Sequence, residues 1–235
     1  MDDREDLSQW TPRPQPGQAE IRGSHVVLEP LDWKRHGISI NAAIGGAAHA
    51  ELWRYIPFGP FDAQEDFETI FEFIRGSEGW ETLAIVDIKS SEALGMFSFM
   101  AIEESHGSVE IGCVVFGPAM QKTSQATEAL YLMAKHVFDD LGYRRYEWKC
   151  DHANVGSKNA ALRFGFQPEG VFRQHRIVKG LNRDTAWYSI TDRDWNRLRI
   201  ALEDWLAPTN FDNDGQQRKS LADIRDGYSS TSIGR

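Results

Sequence analysis

VEIGCVVFGPAMQKTSQATEAL, residues 109–130, and CDHANVGSKNAALRFGFQPEG, residues 150–170, are the two stretches on which the reading of this chain turns. The first reads as a β-branched strand over 109–116, a turn at Gly117-Pro118 and the start of an amphipathic helix. Beyond it Leu130, Met133, Ala134, Val137, Phe138 and Leu141 recur at spacings of three and four, which is one apolar helical stripe. Gly142 stands where such a helix stops, and a strand follows at 144–150. A strand–helix–strand unit of this length requires a crossover, so 109–116 and 144–150 are expected to run parallel with a right-handed connection. A short helix is expected from Val155 to Phe164, capped by Asn154 and stopped by Gly165.

Working outward, HVVLEPL (25–31) reads as a first strand, and 34–44 and 64–75 as helices on apolar periodicity. Between those helices lies the aromatic segment LWRYIPFGPF (52–61), broken by Pro57 and Pro60. Strands at 82–88, 94–102 and 109–116 predict an antiparallel meander with Gly107 in its last turn. Two more strands, near 167–178 and 184–190, meet at the turn residues Gly180-Leu181-Asn182, and a last helix begins after Thr191 or Asp192. The fold class expected is therefore mixed α/β (α+β): a largely antiparallel sheet with a central parallel strand pair, flanked by helices. Residues 1–22 are polar and proline-bearing and predict a mobile arm, with Trp10 tucked against the body. The body spans 23–207 as one domain, and 208–235 is a polar tail expected to be loosely ordered.

The chain has 235 residues and a formal net charge of −9. That charge argues against a protein whose main task is binding nucleic-acid backbones, and it is compatible with attracting a cationic amine. No apolar run reaches the ~20 residues needed to span a membrane, and MDDREDLSQW lacks the apolar core of a signal peptide. Cys113 and Cys150, the two cysteines, both fall in expected strands and read as small buried hydrophobes. A disulfide framework is not expected, and the predicted compartment is cytoplasmic. The seven histidines show no metal-ligand spacing, so no metal is expected.

Two segments carry candidate chemistry. At Gln121-Lys122-Thr123-Ser124-Gln125-Ala126-Thr127 the first turn of a helix follows a strand. Its unpaired amides and dipole suit a pyrophosphate, the small residues Ser124 and Ala126 allow close approach, and Lys122 adds a cation. An ordinary cap by Thr123 or Ser124 accounts for the same residues. Asn154 and Ser157 stand three apart at the mouth of the short helix, beside the strand parallel to 109–116, where polar groups converge on a crevice.

Taken together, the chain resembles the GNAT superfamily of acetyl-CoA-dependent N-acetyltransferases, and within it the Rim-type branch that acetylates ribosomal-protein N-termini and small amines. The resemblance covers most of 23–195. It rests on LW-x-Y-x-P-x-GPF at 52–61, TEAL at 127–130, N-x-x-S at 154–157, R-x-GF at 163–166, EGVFR at 169–173 and KGLNRD at 179–184. It implies that 121–126 is the pyrophosphate loop, with Gln121 and Ala126 matching and Ser124 standing where the family usually has glycine. It implies that Asn154 lies on the pantetheine side and that Ser157 protonates the departing thiolate. The tyrosine many members place in the short helix is Ala161 here.

On these grounds the expected cofactor is acetyl-CoA (coenzyme A), held by Val114, Val115, Phe116, the 121–127 stretch, Asn154, Ser157 and Lys158. Glu110, near the start of a central strand, is the expected base, because an amine must lose a proton before it can attack a thioester. Trp53, Tyr55, Phe58, Glu110 and Trp148 are the expected acceptor-site residues. The acceptor would be a small-molecule amine or a protein N-terminus. The departures at Ser124 and Ala161 motivate an alternative, a catalytically silent coenzyme-A-binding or regulatory module. An interaction protein working through its arms and an exposed aromatic 52–61 patch is a further alternative, and the same patch is a candidate homodimer contact.

Overall fold

The structure, a computed structural model, describes residues 5–230. One eight-stranded sheet organises it, in the order β1-β2-β3-β4-β5-β6-β8-β7. These strands are β1 (Ile21–Arg22), β2 (Val26–Pro30), β3 (Glu81–Asp87), β4 (Ala93–Glu103), β5 (Ser108–Phe116), β6 (Arg145–Asp151), β7 (Gln167–Val178) and β8 (Leu181–Thr191). Helices α1 (Trp33–Ile44), α2 (Gln64–Glu78), α3 (Ser124–Lys135), α4 (Val155–Arg163), α5 (Asp192–Leu206) and α6 (Leu221–Ser230) complete it, with 3-10 turns at Ala47–Trp53 and Pro208–Asn210. Every pairing is antiparallel except β5 with β6. The expected mixed sheet with a central parallel pair is the fold observed.

Two cores hold the sheet. On one face the α3 stripe, continued by a π-helical turn at His136–Asp140, packs with α5 against Val26, Leu28, Phe97, Phe99, Tyr146 and Trp148. Each large apolar side chain buried this way contributes about 1.5–3 kcal/mol. On the other face α1 and α2 pack against Ala84, Val86 and Met96. The aromatic segment belongs to this second core. Trp53 is 0% exposed, its indole nitrogen donates to the Ile44 carbonyl at 2.8 Å, and Phe61 and Phe67 pack edge-on to it. The expected exposed patch is thus partly interior: Trp53 and Phe61 are buried against the α1–α2 layer, while Tyr55 and Phe58 are half-buried.

The two ends of the chain are more structured than their composition suggests. Trp10 donates to the Ser105 carbonyl and the Arg13 amide to that of Glu104. A side chain at Gly107, at φ +61 in the β4–β5 turn, would collide with the Trp10 ring. Ile21–Arg22 pairs with β2. In the tail, α6 packs on α5, and Leu221 is buried in the main core. The expectation of a mobile arm over 1–22 and a loose tail over 208–235 therefore does not describe 5–22 or 208–230. Residues 1–4 and 231–235 lie outside the described residues. No described helix is long and apolar enough to cross a membrane.

Candidate active site

The sheet opens at its centre. The parallel ladder of β5 and β6 runs from Ser108–Arg145 to Ile111–Trp148 and ends there. Beyond that point β6 stays with β8 as far as Asp151–Thr185, while β5 stays with β4 as far as Phe116–Gly95. A bulge helps to separate them. Ser98 faces Gly112 and Met96 faces Val115, so Cys113 and Val114 together oppose Phe97, and Cys113 takes a left-handed φ of 46°. A bulge bends and twists its strand. Past Ile111, the backbone of β5 on the β6 side has no ladder partner.

Two cavities meet at this opening. The longer, of about 1030 Å³, runs along the N-terminal end of α3. Its walls include Val114, Val115, Phe116, Gln121, Lys122, Thr123, Ser124, Ala126 and Thr127, with Asn154 and Ser157 from the β6–α4 side. The shorter, of about 620 Å³, is lined by Tyr55, Phe58, Glu110, Lys149, Arg183 and Trp187 among others. Tyr55, Ile56, Val114, Trp148, Asn154 and Ser157 line both. A ligand in each would meet beside Ser157.

The long cavity is built locally. Thr123 is the N-cap of α3 and accepts from the Ala126 amide, leaving other first-turn amides without intrahelical partners. The cap is therefore present, and it does not compete with the pyrophosphate reading, since a cap ties only one amide. Lys122 takes a left-handed φ of 63° in the preceding turn. Gln121 is committed to the loop itself, its side-chain amide donating to the Phe116 carbonyl at 3.0 Å. Arg163, which sequence reasoning assigned to no role, donates to Thr127 Oγ1 at 3.1 Å and lies 4.9 Å from the Trp205 ring centre. Burial, then the nearby Arg225, lowers its pKa from the usual guanidinium value. The far wall comes from the tail: Phe211, Gly215, Gln216 and Gln217. Gln125 and Lys158, both expected to touch the cofactor, are not part of the described wall. Ser124, Thr127 and Leu130 follow one another at i+3 along α3, and Gln125 is turned off that row. Lys158 is likewise off the row of Ser157, Ala160 and Phe164.

At the junction, Asn154 caps α4 by accepting from the Ser157 amide at 2.9 Å. The Trp148 indole N–H donates to Ser157 Oγ at 2.9 Å, so the Ser157 hydroxyl keeps its own proton as a donor, with the Cys150 sulfur within its reach. Gly165 ends α4 in a left-handed turn at φ +91, where a Cβ would meet Leu198.

In the short cavity Glu110 is 8% exposed. Its Oε2 accepts from Lys149 Nζ at 2.8 Å, and Lys149 also reaches Glu147 at 2.7 Å. Burial pushes the Glu110 carboxyl above the usual carboxylate range, and the opposing pull of Lys149 is the smaller effect. For Lys149, burial alone favours the neutral amine, but the two carboxylates outweigh it and raise its pKa. Lys149 further lies 4.2 Å from the Trp187 ring centre. Tyr55, Phe58 and Trp148 line this cavity. Trp53 does not, for it is sealed in the second core. Burial pushes the Cys113 thiol up to about 12 and the Cys150 thiol upward too, so neither is a ready nucleophile. Among the described residues, no group of three His, Cys, Asp or Glu side chains could hold a metal ion.

Lys149, Glu147 and Arg183 were missed in the sequence. The alternation in RYEWKCD buries Tyr146, Trp148 and Cys150 and leaves Arg145, Glu147, Lys149 and Asp151 half-buried. On sequence that pattern reads as a solvent face. Only the register, with Glu110 beside Glu147 and Lys149 beside Trp187, turns it into the floor of a cavity.

Comparison with known proteins accords with this geometry. Residues 26–167 match the model of the acetyltransferase (GNAT) domain. A GCN5-related N-acetyltransferase from Brucella melitensis is 41% identical and superposes with a TM-score of 0.89, over 94% of this chain and 100% of that one. YoaA of Bacillus subtilis, named as an uncharacterized N-acetyltransferase, is 32% identical over 101 residues, 43% of this chain and 56% of its own length. YdaF of the same organism, whose name proposes ribosomal N-acetyltransferase activity, is 25% identical over 72% of this chain and 91% of its own. The splayed parallel pair, the capped helix beside it and this match over most of the sheet lead to one conclusion: the chain belongs to the GNAT acetyltransferase family, with Rim-type proteins among its relatives.

Proposed function

We propose that this enzyme transfers acetyl from acetyl-CoA to a primary amine by direct attack, with the cofactor in the long cavity and the acceptor in the short one. The observation that carries the reading is the meeting of the two cavities at Ser157, with Glu110 on the acceptor side. The long cavity suits coenzyme A in its donor chemistry. The phosphate end has the α3 amides, Lys122 and Arg163, and the remainder has Leu130, Phe164, Trp205 and Phe211 as apolar wall. When bound, acetyl-CoA supplies an acetyl thioester, and its reaction with an amine yields an amide and a free thiol.

The chain's own residues handle the protons. Glu110 accepts the proton of the acceptor nitrogen, directly or through one water, and its raised pKa moves it towards a useful basicity at neutral pH. Ser157 Oγ–H, oriented by the Trp148 indole, donates to the departing sulfur. Glu110 returns its proton to solvent and Ser157 recovers one, so no net proton stays on the protein. The β6-facing amides of β5 over 113–116, which have no ladder partner on that side, polarise the reacting carbonyl.

The test is thermal stability with and without excess acetyl-CoA. Binding confined to the folded state adds ~2.7 kcal/mol at about one hundred times Kd. The shift should vanish in Ser124→Glu, and Glu110→Gln should keep the shift while losing turnover. An unchanged melting midpoint at millimolar acetyl-CoA refutes the cofactor site, and full turnover by Glu110→Gln refutes the base.

A further inference from the structure

The short cavity has a second charged end that proton transfer does not use. Arg183, Thr185 and Trp187 follow one another at i+2 on β8 and line the cavity together with His175 and Arg176 of β7. Arg176 and Arg183 are direct register partners across the β7–β8 hairpin. Like charges placed opposite one another on a ladder repel. Among the described residues, neither guanidinium is in a salt bridge or a side-chain hydrogen bond. Arg183 Nε and the Trp187 indole nitrogen are buried without a hydrogen-bond partner.

The other charges nearby do not answer these two cations. Glu110 is hydrogen-bonded by Lys149 and attracts Arg183 without a salt bridge between them, and Lys149 is shared with Glu147. Asp151 accepts from the Ala153 amide, and the other acid of the lining, Glu78, closes the last turn of α2. His175 contacts Thr185 at 3.0 Å, and its pKa is lowered by slight burial and by Arg176, Arg183 and Lys149. One wall of the cavity therefore offers the Arg183 Nε–H and the Trp187 indole N–H, both buried without an acceptor, with the exposed Arg176 guanidinium beside them. A buried donor left unmatched is costly, and a guanidinium pair matches carboxylate or phosphate oxygens best.

We propose that the acceptor is an amine that also carries an anionic group, carboxylate or phosphate, and that Arg183 and Arg176 seat that group while the amine faces Glu110. This rests on the reading of the short cavity as the acceptor site. Arg183 and Arg176 are then specificity residues. A plain polyamine would put cations against both arginines and is disfavoured by the same charges.

The experiment compares matched acceptors with acetyl-CoA: free amino acids, their amides, amino phosphates, the corresponding amino alcohols, and short peptides with acidic or amidated side chains near the N-terminus. The wild type should favour the anionic member of each pair in kcat/KM by roughly ten- to hundredfold. Arg183→Ala should raise KM for the anionic members and bring the ratio close to one. Arg176→Ala, on an exposed strand position, should narrow it without disturbing the fold, and Arg183→Lys should restore part of it. Preference among free amino acids points to a small acceptor, and preference confined to acidic peptides points to a protein N-terminus. Equal rates within each pair, or a preference that survives Arg183→Ala, overturn the anion site while acetylation itself leaves the Glu110 reading standing. Acetyl-CoA binding with no turnover of any amine in the set overturns both.

Discussion

Lys149 Nζ lies 2.8 Å from Glu110 Oε2 across the last paired step of β5 and β6. The residue proposed as the base thus begins as half of a buried ion pair. Burial favours the protonated carboxyl and Lys149 favours the ionised one, and burial is the larger effect. Removing the cation leaves only the weaker pull of Arg183 against burial, so the Glu110 pKa rises further in Lys149→Met. The acidic limb of the kcat/KM profile marks the protonation of the base as pH falls, and in that variant it should move to higher pH. A limb that stays in place would mean that Glu110 is not the group titrating there.

Trp148 and Ser157 separate proton donation from packing. Ser157→Ala removes the proposed acid and should lower kcat by roughly 10²-fold. Trp148→Phe keeps most of the ring against Phe166 but deletes the N–H that orients Ser157 Oγ. It should lower kcat by less than Ser157→Ala, and the double variant should match Ser157→Ala alone. Additive losses in steady-state rates would show that Trp148 acts by some route other than Ser157.

Most of the sheet was legible in the sequence because its strands and helices announce themselves locally. The α3 stripe, the Asn154 cap and the Gly165 stop each sit within a few residues of the features that encode them, and they appear as expected. The parallel pair followed from connection length alone. What was not legible depends on contacts between distant residues. Trp53 was placed in the acceptor wall because aromatic residues serve pockets and cores equally well, and it is in the core. The tail's composition hid Leu221 and Phe211, each of which packs against a helix that precedes it. Lys149 and Arg183 became site residues only through strand register, which no local pattern specifies.

Glu128, part of the TEAL segment, has a structural role distinct from the cofactor. Its carboxylate is buried and accepts the backbone amides of Ser24, His25 and Val26 at 2.8, 2.7 and 2.9 Å. It pins the α3 helix to the chain entering β2, and Gly23 packs so tightly there that a Cβ would lie 2.7 Å from Glu128 Oε2. Glu128→Gln turns an amide donor towards one of those N–H groups and should destabilise the fold by about 3 kcal/mol, read by urea denaturation. A loss below about 0.5 kcal/mol would mean that this bond network is not what fixes α3 to the sheet.

The tail supplies a wall of the long cavity and part of its support. Trp205 on α5 donates to Gln217 Oε1 at 2.8 Å, and Phe211 packs edge-on to it at 5.2 Å between ring centres. Phe211, Gln216 and Gln217 close the long cavity opposite α3. A chain ending at Ala207 would expose Trp205 beside Arg163 and empty the space filled by Leu221, whose burial contributes about 1.5–3 kcal/mol. The truncated protein should stay folded, since the sheet and both of its main packing layers precede the cut, but with a lower melting midpoint. Its Kd for acetyl-CoA, measured by calorimetry, should rise by roughly tenfold or more. Gln217→Ala, which leaves the rest of the tail in place, should give a smaller rise in the same direction. Wild-type affinity in the truncated chain would show that the tail covers the cavity without contributing to binding.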